Sequence, residues 1–457
     1  MRYVFIVQGE GRGHLTQAIS MERLLRESGH EVAAVLVGKS PARKLPAFFA
    51  GTIKAPVEMF ESFNFVPSAS NRKASSLKTG LYNILHMAGF IPSIRFISRR
   101  LKEIRPDVVV NFYDILGTMG YRLSGLKAPM VCLGHQFLFL HKDFRFPRTG
   151  YSGHYALNMF TRMVAWGSAK ILALSFRPMP DDQKRRIKVV PPLLRPAVLD
   201  LRPASGADDP AVRDGGYIHG YMLNAGFSQD VLEWHAAHPE VPLRFFWDRA
   251  DEAPVKVVDE TLSFYYLNDE EFLRQMAGCH AYASTAGFES VCEAMYLGKP
   301  LLMVPSHIEQ KCNAYDATEG CRMSSGGDSA PSGGSEASGG DKAPGGGGEA
   351  PCGGDEASGG DKARGGGGEA PCGGDEASGG DKAPGGGGEA PCGGDEASGG
   401  DKAPGGGGEA PCPAVASDRF DLDLLLHFAD NEFVADKSFP DWARSADSVF
   451  LKELTFS

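Results

Sequence analysis

Ser284-Thr285-Ala286-Gly287-Phe288-Glu289-Ser290-Val291-Cys292-Glu293-Ala294 is the stretch that decides the fold. Residues 281–284 ahead of it read as a short strand, and residues 288–297 have helical spacing, with small residues joining the two. Such a turn leaves Gly287 at the start of a helix, where unpaired N–H groups at the positive dipole end can hold a diphosphate. Glu289 and Glu293 are four apart and share one helix face, and Glu293 can reach a ribose diol. Next come Gly298-Lys299-Pro300, a strand over 300–304, and Glu309-Gln310-Lys311-Cys312-Asn313-Ala314 behind Pro305. Polar groups in that last element point to a cleft. A plain surface charge for Glu289 and a plain cap for Asn313 are the competing readings.

The same alternation of strand and helix runs through both halves. Residues 3–8 form a β-branched and aromatic run ending at glycines, the mark of a buried parallel strand. A helix over 15–28 stops near Gly29. Strands follow at 31–37, 108–112, 130–133, 170–174 and 187–190. In the second half we expect strands at 216–222, 243–247 and 262–266 and helices at 228–238 and 270–277. The chain of 457 residues exceeds what one core usually supports. It reads as α/β, with two Rossmann-like domains of parallel sheet facing across a cleft. We expect residues 1–195 as the first domain, parted at the proline-rich 191–203 from a second formed by 204–323 plus 417–440. Residues 441–457 have helical spacing and can pack back on the first domain.

The segment GGSEASGGDKAPGGGGEAPC at 333–352 recurs nearly unchanged at 353–372, 373–392 and 393–412. It holds no aromatic or β-branched residue and cannot bury enough apolar surface to offset its ordering entropy. We therefore expect 324–416 to be a disordered insert within the second domain. A metal-binding reading of Cys352, Cys372, Cys392 and Cys412 competes, but their spacing is long with no His or second Cys nearby, so a linker is favoured; the other five cysteines show no metal spacing, as in a reduced protein.

The net charge of −10 hides an asymmetry, because residues 1–200 carry 29 Lys+Arg against 13 Asp+Glu. A basic first half facing an acidic second half can favour closure, or steer the first toward an anionic surface. The apolar run at the start is too short for a secretory segment, and no run of ~18 apolar residues occurs. The expectation is a cytoplasmic protein, with peripheral contact at the inner membrane face as its extension. Residues 82–105 mix Ile84, Leu85, Phe90 and Ile94 with Arg95, Arg99, Arg100, Lys102 and Arg105, which suits an interfacial helix. An ordinary amphipathic helix covering the sheet has the same pattern.

Gln8-Gly9-Glu10-Gly11-Arg12-Gly13-His14 sits between the first strand and first helix. Its glycines allow a sharp turn and a close backbone approach to a ligand. The spacing is not GxGxxG, and the second strand ends in Val37-Gly38-Lys39 without an acid for a ribose. His14 opens the helix where a substrate would enter. Asp114, after the strand at 108–112, either orients His14 or caps the helix that follows.

Together these motifs resemble the GT-B glycosyltransferases, in particular the lipid-II N-acetylglucosaminyltransferase and UDP-glycosyltransferase group. The resemblance covers 1–323 and 417–457. It implies that His14 is the general base and that Glu293 holds the donor ribose. It also implies that Ser284, Thr285, Ala286 and Gly287 form the phosphate loop and that Glu309-Gln310 contact the donor sugar. Tyr266-Leu267-Asn268 would grip the nucleobase. Gly11, Gly13, Gly220, Phe288, Glu289, Ser290 and Asn313 are assigned to the same donor site. Thr285 stands where relatives carry His or Arg, and Glu289 where many carry Asn.

The reaction expected is an inverting, metal-independent transfer of a hexose or N-acetylhexosamine from a nucleoside-diphosphate sugar, UDP being favoured, to a glycan or lipid-linked hydroxyl. No cofactor is implied, and no DxD pair of carboxylates appears where a metal–diphosphate clamp would use one. Two readings compete: a sugar-nucleotide-binding protein without transferase activity, and a UDP-sugar 2-epimerase. Nucleic-acid binding is not expected, since no aromatic–basic interleaving occurs.

Overall fold

Tyr3, Val4, Phe5, Ile6 and Val7 are fully buried in succession, as a strand covered on both faces must be. In the computed structural model, which describes residues 1–39, 45–62, 87–148, 151–201, 215–222, 225–249, 252–324 and 412–456, this run is β1 (Arg2–Gln8). There follow α1 (Arg12–Glu27), β2 (Glu31–Lys39), α2 (Ala47–Thr52), β3 (Val57–Glu61), α3 (Ile91–Ile104) and β4 (Val108–Phe112). Then come α4 (Ile115–Ser124), β5 (Met130–Gly134), α5 (Tyr151–Val164), β6 (Lys170–Leu174), β7 (Ile187–Val190) and α6 (Pro196–Asp200). The strands form one sheet in the order β3-β2-β1-β4-β5-β6-β7, parallel throughout. Successive β1 side chains face opposite ways. Tyr3, Phe5 and Val7 pack with Leu15 and Ala18 of α1, and Val4 and Ile6 with Ile97 of α3 and Leu116 of α4.

The second lobe has the same design. It comprises β8 (Ile218–Tyr221), α7 (Ser228–Ala237), β9 (Leu243–Trp247), β10 (Val255–Val257), β11 (Leu262–Tyr266) and α8 (Asp269–Gly278). After these come β12 (Ala281–Ser284), α9 (Phe288–Tyr296), β13 (Leu301–Met303), α10 (Ile308–Ser324), β14 (Ala414–Ala416) and α11 (Leu422–Asn431). Its sheet runs β10-β11-β9-β8-β12-β13-β14, and all its pairs are parallel except the edge pair β10–β11. Ile218, Phe245, Phe264 and Leu302 meet Phe420 and Leu425 on one face. Tyr282 and Met303 meet Met276 of α8 and Val291 of α9 on the other.

The α/β reading with two Rossmann-like parallel sheets is what the structure contains. Three local expectations need correction. Ala414–Ala416, read as part of the disordered insert, is a strand whose Val415 pairs with Leu302 of β13. A three-residue edge strand has no periodicity to read, and only the neighbouring strand makes it one. Residues 441–454, read as one helix, form α12 (Phe439–Arg444) and α13 (Ala446–Leu454) with Ser445 between them. Both helices bind the first lobe: Trp442 Nε1 donates to the Ser175 carbonyl, and Tyr3 Oη to the Leu454 carbonyl. The repeat from 333 to 411 lies outside the described residues.

Gly220, assigned to the donor site, is the third. It is a buried residue of β8, and a Cβ there would sit 2.1 Å from the Phe245 ring. Its missing side chain makes room for a core aromatic ring. We predict that Gly220→Ala lowers stability by about 1–3 kcal/mol through overpacking, read as a shift of the urea midpoint. An unchanged midpoint would mean that Phe245 gives way.

Candidate functional site

The turn from β1 into α1 is tight. Gly9 N donates to the Gly38 carbonyl at 2.6 Å, and a Cβ on Gly9 would meet that oxygen and Val37 at 2.8 Å. Gly11 is the N-cap of α1 with open space around it. Gly13 faces the other lobe, since a Cβ there would lie 3.0 Å from Cγ of Glu289. The N-terminal turns of α1 and α9 therefore meet, one from each lobe.

His14 is buried at this meeting point. Its Nδ1 lies 3.2 Å from Gln17 Oε1 and its Nε2 lies 3.3 Å from Gln136 Nε2. Its ring stacks on Tyr113 at 5.8 Å between centroids. Burial lowers its pKa to about 4, so the ring is neutral. Tyr113 follows β4 with φ of 62°, a left-handed backbone that costs a bulky residue about 1–3 kcal/mol. Its hydroxyl is fixed on Thr161.

Asp114 does not meet His14. Its carboxylate accepts from Gly117 N at 2.7 Å and from the Ser62 hydroxyl at 3.0 Å, as the N-cap of α4. The capping reading of Asp114 holds, and the orienting role falls. Nothing in the sequence separated the two, because an N-cap and a catalytic acid occupy the same place after a parallel strand.

On the second lobe, Ser284 ends β12 and its Oγ accepts from Ala286 N at 3.3 Å. Ala286 has φ of 58°, and its carbonyl accepts from Asn313 Nδ2 at 3.0 Å. Asn313 is thus the brace of a strained loop rather than a cap. Thr285 N donates to the Tyr221 carbonyl, Gly287 is the N-cap of α9, and the Ser290 hydroxyl turns back to the Gly287 carbonyl. Phe288 stacks on His135 of the first lobe with centroids 4.0 Å apart.

Three glutamates of this lobe meet first-lobe partners. Glu289 Oε1 accepts from Gln17 Nε2 at 2.5 Å, and burial raises its pKa to about 8. Glu309 Oε1 accepts from Gln136 Nε2 at 3.0 Å, and burial raises its pKa to about 7. Glu293 is held in a two-bond fork by Arg195, at 2.6 and 2.7 Å. The expected free ribose acid is therefore an ion-paired one here. Arg195 also lies 3.4 Å from Asp269, which Arg12 approaches at 3.5 Å. Gln310, expected beside Glu309 on a sugar, instead accepts from N and Oγ of Ser306 at 2.9 and 2.7 Å.

Beside Asp269 a cavity of about 490 Å³ is lined by Arg12, Phe48, Tyr265, Tyr266, Leu267 and Asn268, among others. Leu267 N donates to the Trp247 carbonyl, and the Asn268 side chain caps α8 by accepting from Glu271 N. The structure thus brings His14, Gly13, Phe288, Glu289 and Glu309 together, with Glu293 and the Tyr266–Asn268 loop alongside Arg195 and Asp269. Gln17, Gln136, Arg195 and Tyr113 were not read from the sequence. Gln136 carried one legible signal, a polar side chain just beyond the carboxyl end of a parallel strand.

The sequence profile of glycosyl transferase family 1 matches residues 1–325. No curated protein matches the chain in sequence. Among solved structures it is similar to Arabidopsis thaliana UGT89C1 complexed with UDP-L-rhamnose, at 14% identity over 70% of this chain and 83% of that one, TM-score 0.47. It is also similar to Phytolacca americana UGT2 complexed with UDP-2fluoro-glucose and pterostilbene, at 12% identity over 70% and 84%, TM-score 0.47. Acinetobacter baumannii MurG is similar at 15% identity over 69% and 84%, TM-score 0.39.

The half-buried glutamates give the cleft a pH signature. Folded Glu289 keeps its proton to about pH 8, against an ordinary 4.5, so folding takes up a proton between those values and stability falls as pH rises through them. The buried histidines act in the opposite sense, but only below their ordinary value of 6.5. We predict that the wild-type urea midpoint falls between pH 6.5 and 8 and that Glu289→Gln flattens this fall. Equal slopes would mean that Glu289 is ionised in the folded protein.

Proposed function

The chain belongs to glycosyl transferase family 1, and from that premise we propose that it transfers a hexose or N-acetylhexosamine from a nucleoside-diphosphate sugar, UDP in first place, to an acceptor hydroxyl with inversion. The observation that carries this reading is the meeting of α1 with the N-terminal turn of α9 across the cleft, where Gln17, the hydrogen-bond neighbour of His14, donates to Glu289. A base from one lobe and a diphosphate-binding helix end from the other bracket one reaction centre.

His14 is the base of this reading. Its imidazole takes the proton of the acceptor hydroxyl, whose oxygen forms the new bond to the anomeric carbon. The bond from that carbon to the diphosphate breaks on the opposite face and its electron pair leaves with the diphosphate. N–H groups at the start of α9, with Ser284 and Thr285, take up the developing charge, so the step calls for no metal clamp. The cavity beside Tyr266, Leu267 and Asn268 is the place for the nucleobase. For Glu293 to take the ribose, Arg195 must release it, and its guanidinium is then available to the diphosphate, a charge that Thr285 cannot supply.

The same ion pair favours the second reading, a sugar-nucleotide binder without transferase activity, in which Arg195 keeps Glu293. Titration with nucleoside-diphosphate sugars, followed by nucleotide release on adding acceptor, separates the two. We expect His14→Ala to lower kcat by about 10²–10⁴-fold with donor affinity unchanged. Donor binding without turnover in the wild type would favour the silent binder, and absence of any donor binding would sink both.

For the acceptor we propose a lipid or cell-envelope glycan, approached by a cytoplasmic protein at the inner face of a membrane. No described helix is long and apolar enough to cross one. Arg95, Arg99, Lys102 and Arg105 line a shallow groove of about 700 Å³ with Leu123. Nearby, Tyr155, Met159 and Met163 are exposed at the spacing of one face of α5, and Trp166, exposed in the turn that follows, lies under Arg122. Apolar side chains beside clustered cations suit an anionic interface. Vesicles containing anionic lipid should co-sediment the protein more than neutral ones, and Trp166→Glu should weaken this. Equal recovery on both would remove the membrane from the proposal.

A further inference from the structure

His14 is held between two glutamines, and each is anchored to the opposite lobe. Gln17 Nε2 donates to Glu289 of α9 and Gln136 Nε2 to Glu309 of α10. With its amide nitrogen committed to a carboxylate, Gln17 turns its carbonyl oxygen to the imidazole, 3.2 Å from Nδ1. A carbonyl only accepts, so Nδ1 must carry the ring hydrogen. A protonated Glu289 keeps a carbonyl oxygen that can accept the same Gln17 N–H, so this orientation is available in either protonation state. The neutral ring then has a bare Nε2, and this atom lies 3.3 Å from the Gln136 amide nitrogen, whose second hydrogen it can accept.

We infer that Gln17 and Gln136 are positioning residues for the base: Gln17 fixes His14 as the Nδ1–H tautomer, and Gln136 occupies Nε2 until an acceptor hydroxyl replaces it. This rests on the reading of His14 as the base. Glu289 and Glu309 extend the chain into the second lobe, so it is complete only while the two lobes are in contact. In the transfer step the acceptor O–H takes the place of the Gln136 N–H and passes its proton to Nε2. The imidazolium keeps its Nδ1–H on Gln17. Gln17 thus does what an aspartate does in triads; its carbonyl orients the ring without a full negative charge beside it.

The test is nitrogen NMR of histidine-labelled full-length protein, with the His14 signals identified by their loss in His14→Gln. The wild type should show a protonated Nδ1 and an unprotonated Nε2, and Gln17→Leu should shift His14 toward the Nε2–H tautomer. Gln17→Asn, too short to reach both His14 and Glu289, serves if the leucine variant does not fold. Gln17→Leu should also lower kcat at least tenfold while leaving the donor dissociation constant within twofold. A wild-type His14 protonated on Nε2, or a tautomer indifferent to both Gln17 variants, overturns the inference. Failure to bind any nucleoside-diphosphate sugar overturns the transferase reading instead, and the tautomer result stands apart from it.

Discussion

Everything at the centre of this molecule follows from the burial of second-lobe carboxylates against the first lobe. Removing an ionised carboxylate from water is costly unless it is paired and hydrogen-bonded. The chain meets this demand in two ways. Glu293 receives the Arg195 fork, with Asp269 close to the same guanidinium. Glu289 and Glu309 receive only glutamine amides, and burial raises both pKa values. Of these three glutamates one is ion-paired and two respond to protons near neutrality. All three tie the lobes together at the points where a donor and a base would meet.

The same contacts give the charge asymmetry a physical meaning. Arg12 approaches Asp269, Arg195 grips Glu293 and Arg177 binds Asp316 at 2.7 Å. In each pair the cation comes from the basic first half and the acid from the second. Arg177 adds a second bond, to the Asp316 carbonyl. These are partly buried pairs, where the loss of one partner strands the other's charge. Contact between the lobes thus pairs their opposite charges.

Backbone strain sits at the strand ends where the two lobes face each other. Tyr113 and Ala286 both have left-handed backbone without being glycine, and each directly follows or closely trails a strand end. The folded surroundings hold them there: Thr161 fixes the Tyr113 hydroxyl, and Asn313 fixes the Ala286 carbonyl. Such conformations persist only where neighbouring contacts outweigh their cost. Here they aim an aromatic ring at His14 and place a loop at the N-terminus of α9.

The sequence by itself marked most strands of both sheets and their mainly parallel pairing, but not β3, β14 or the antiparallel edge strand β10. β4, β6, β7, β9, β11 and β12 span the residues expected, because a strand buried on both faces writes a continuous apolar run into its own residues. It also pointed to the two turns that form the candidate site, since glycines at strand-to-helix turns mark backbone N–H groups open to a ligand. Elements without local periodicity were illegible: β14 with three residues, and the break at Ser445 between α12 and α13. Only the tertiary structure decided which partner each polar side chain took. Gln17 and Glu289 are separated by 272 residues and Arg195 and Glu293 by 98. A side chain's hydrogen-bond partner depends on distance in space, which local spacing does not encode, so Asp114 became a helix cap and Gln17 the neighbour of His14.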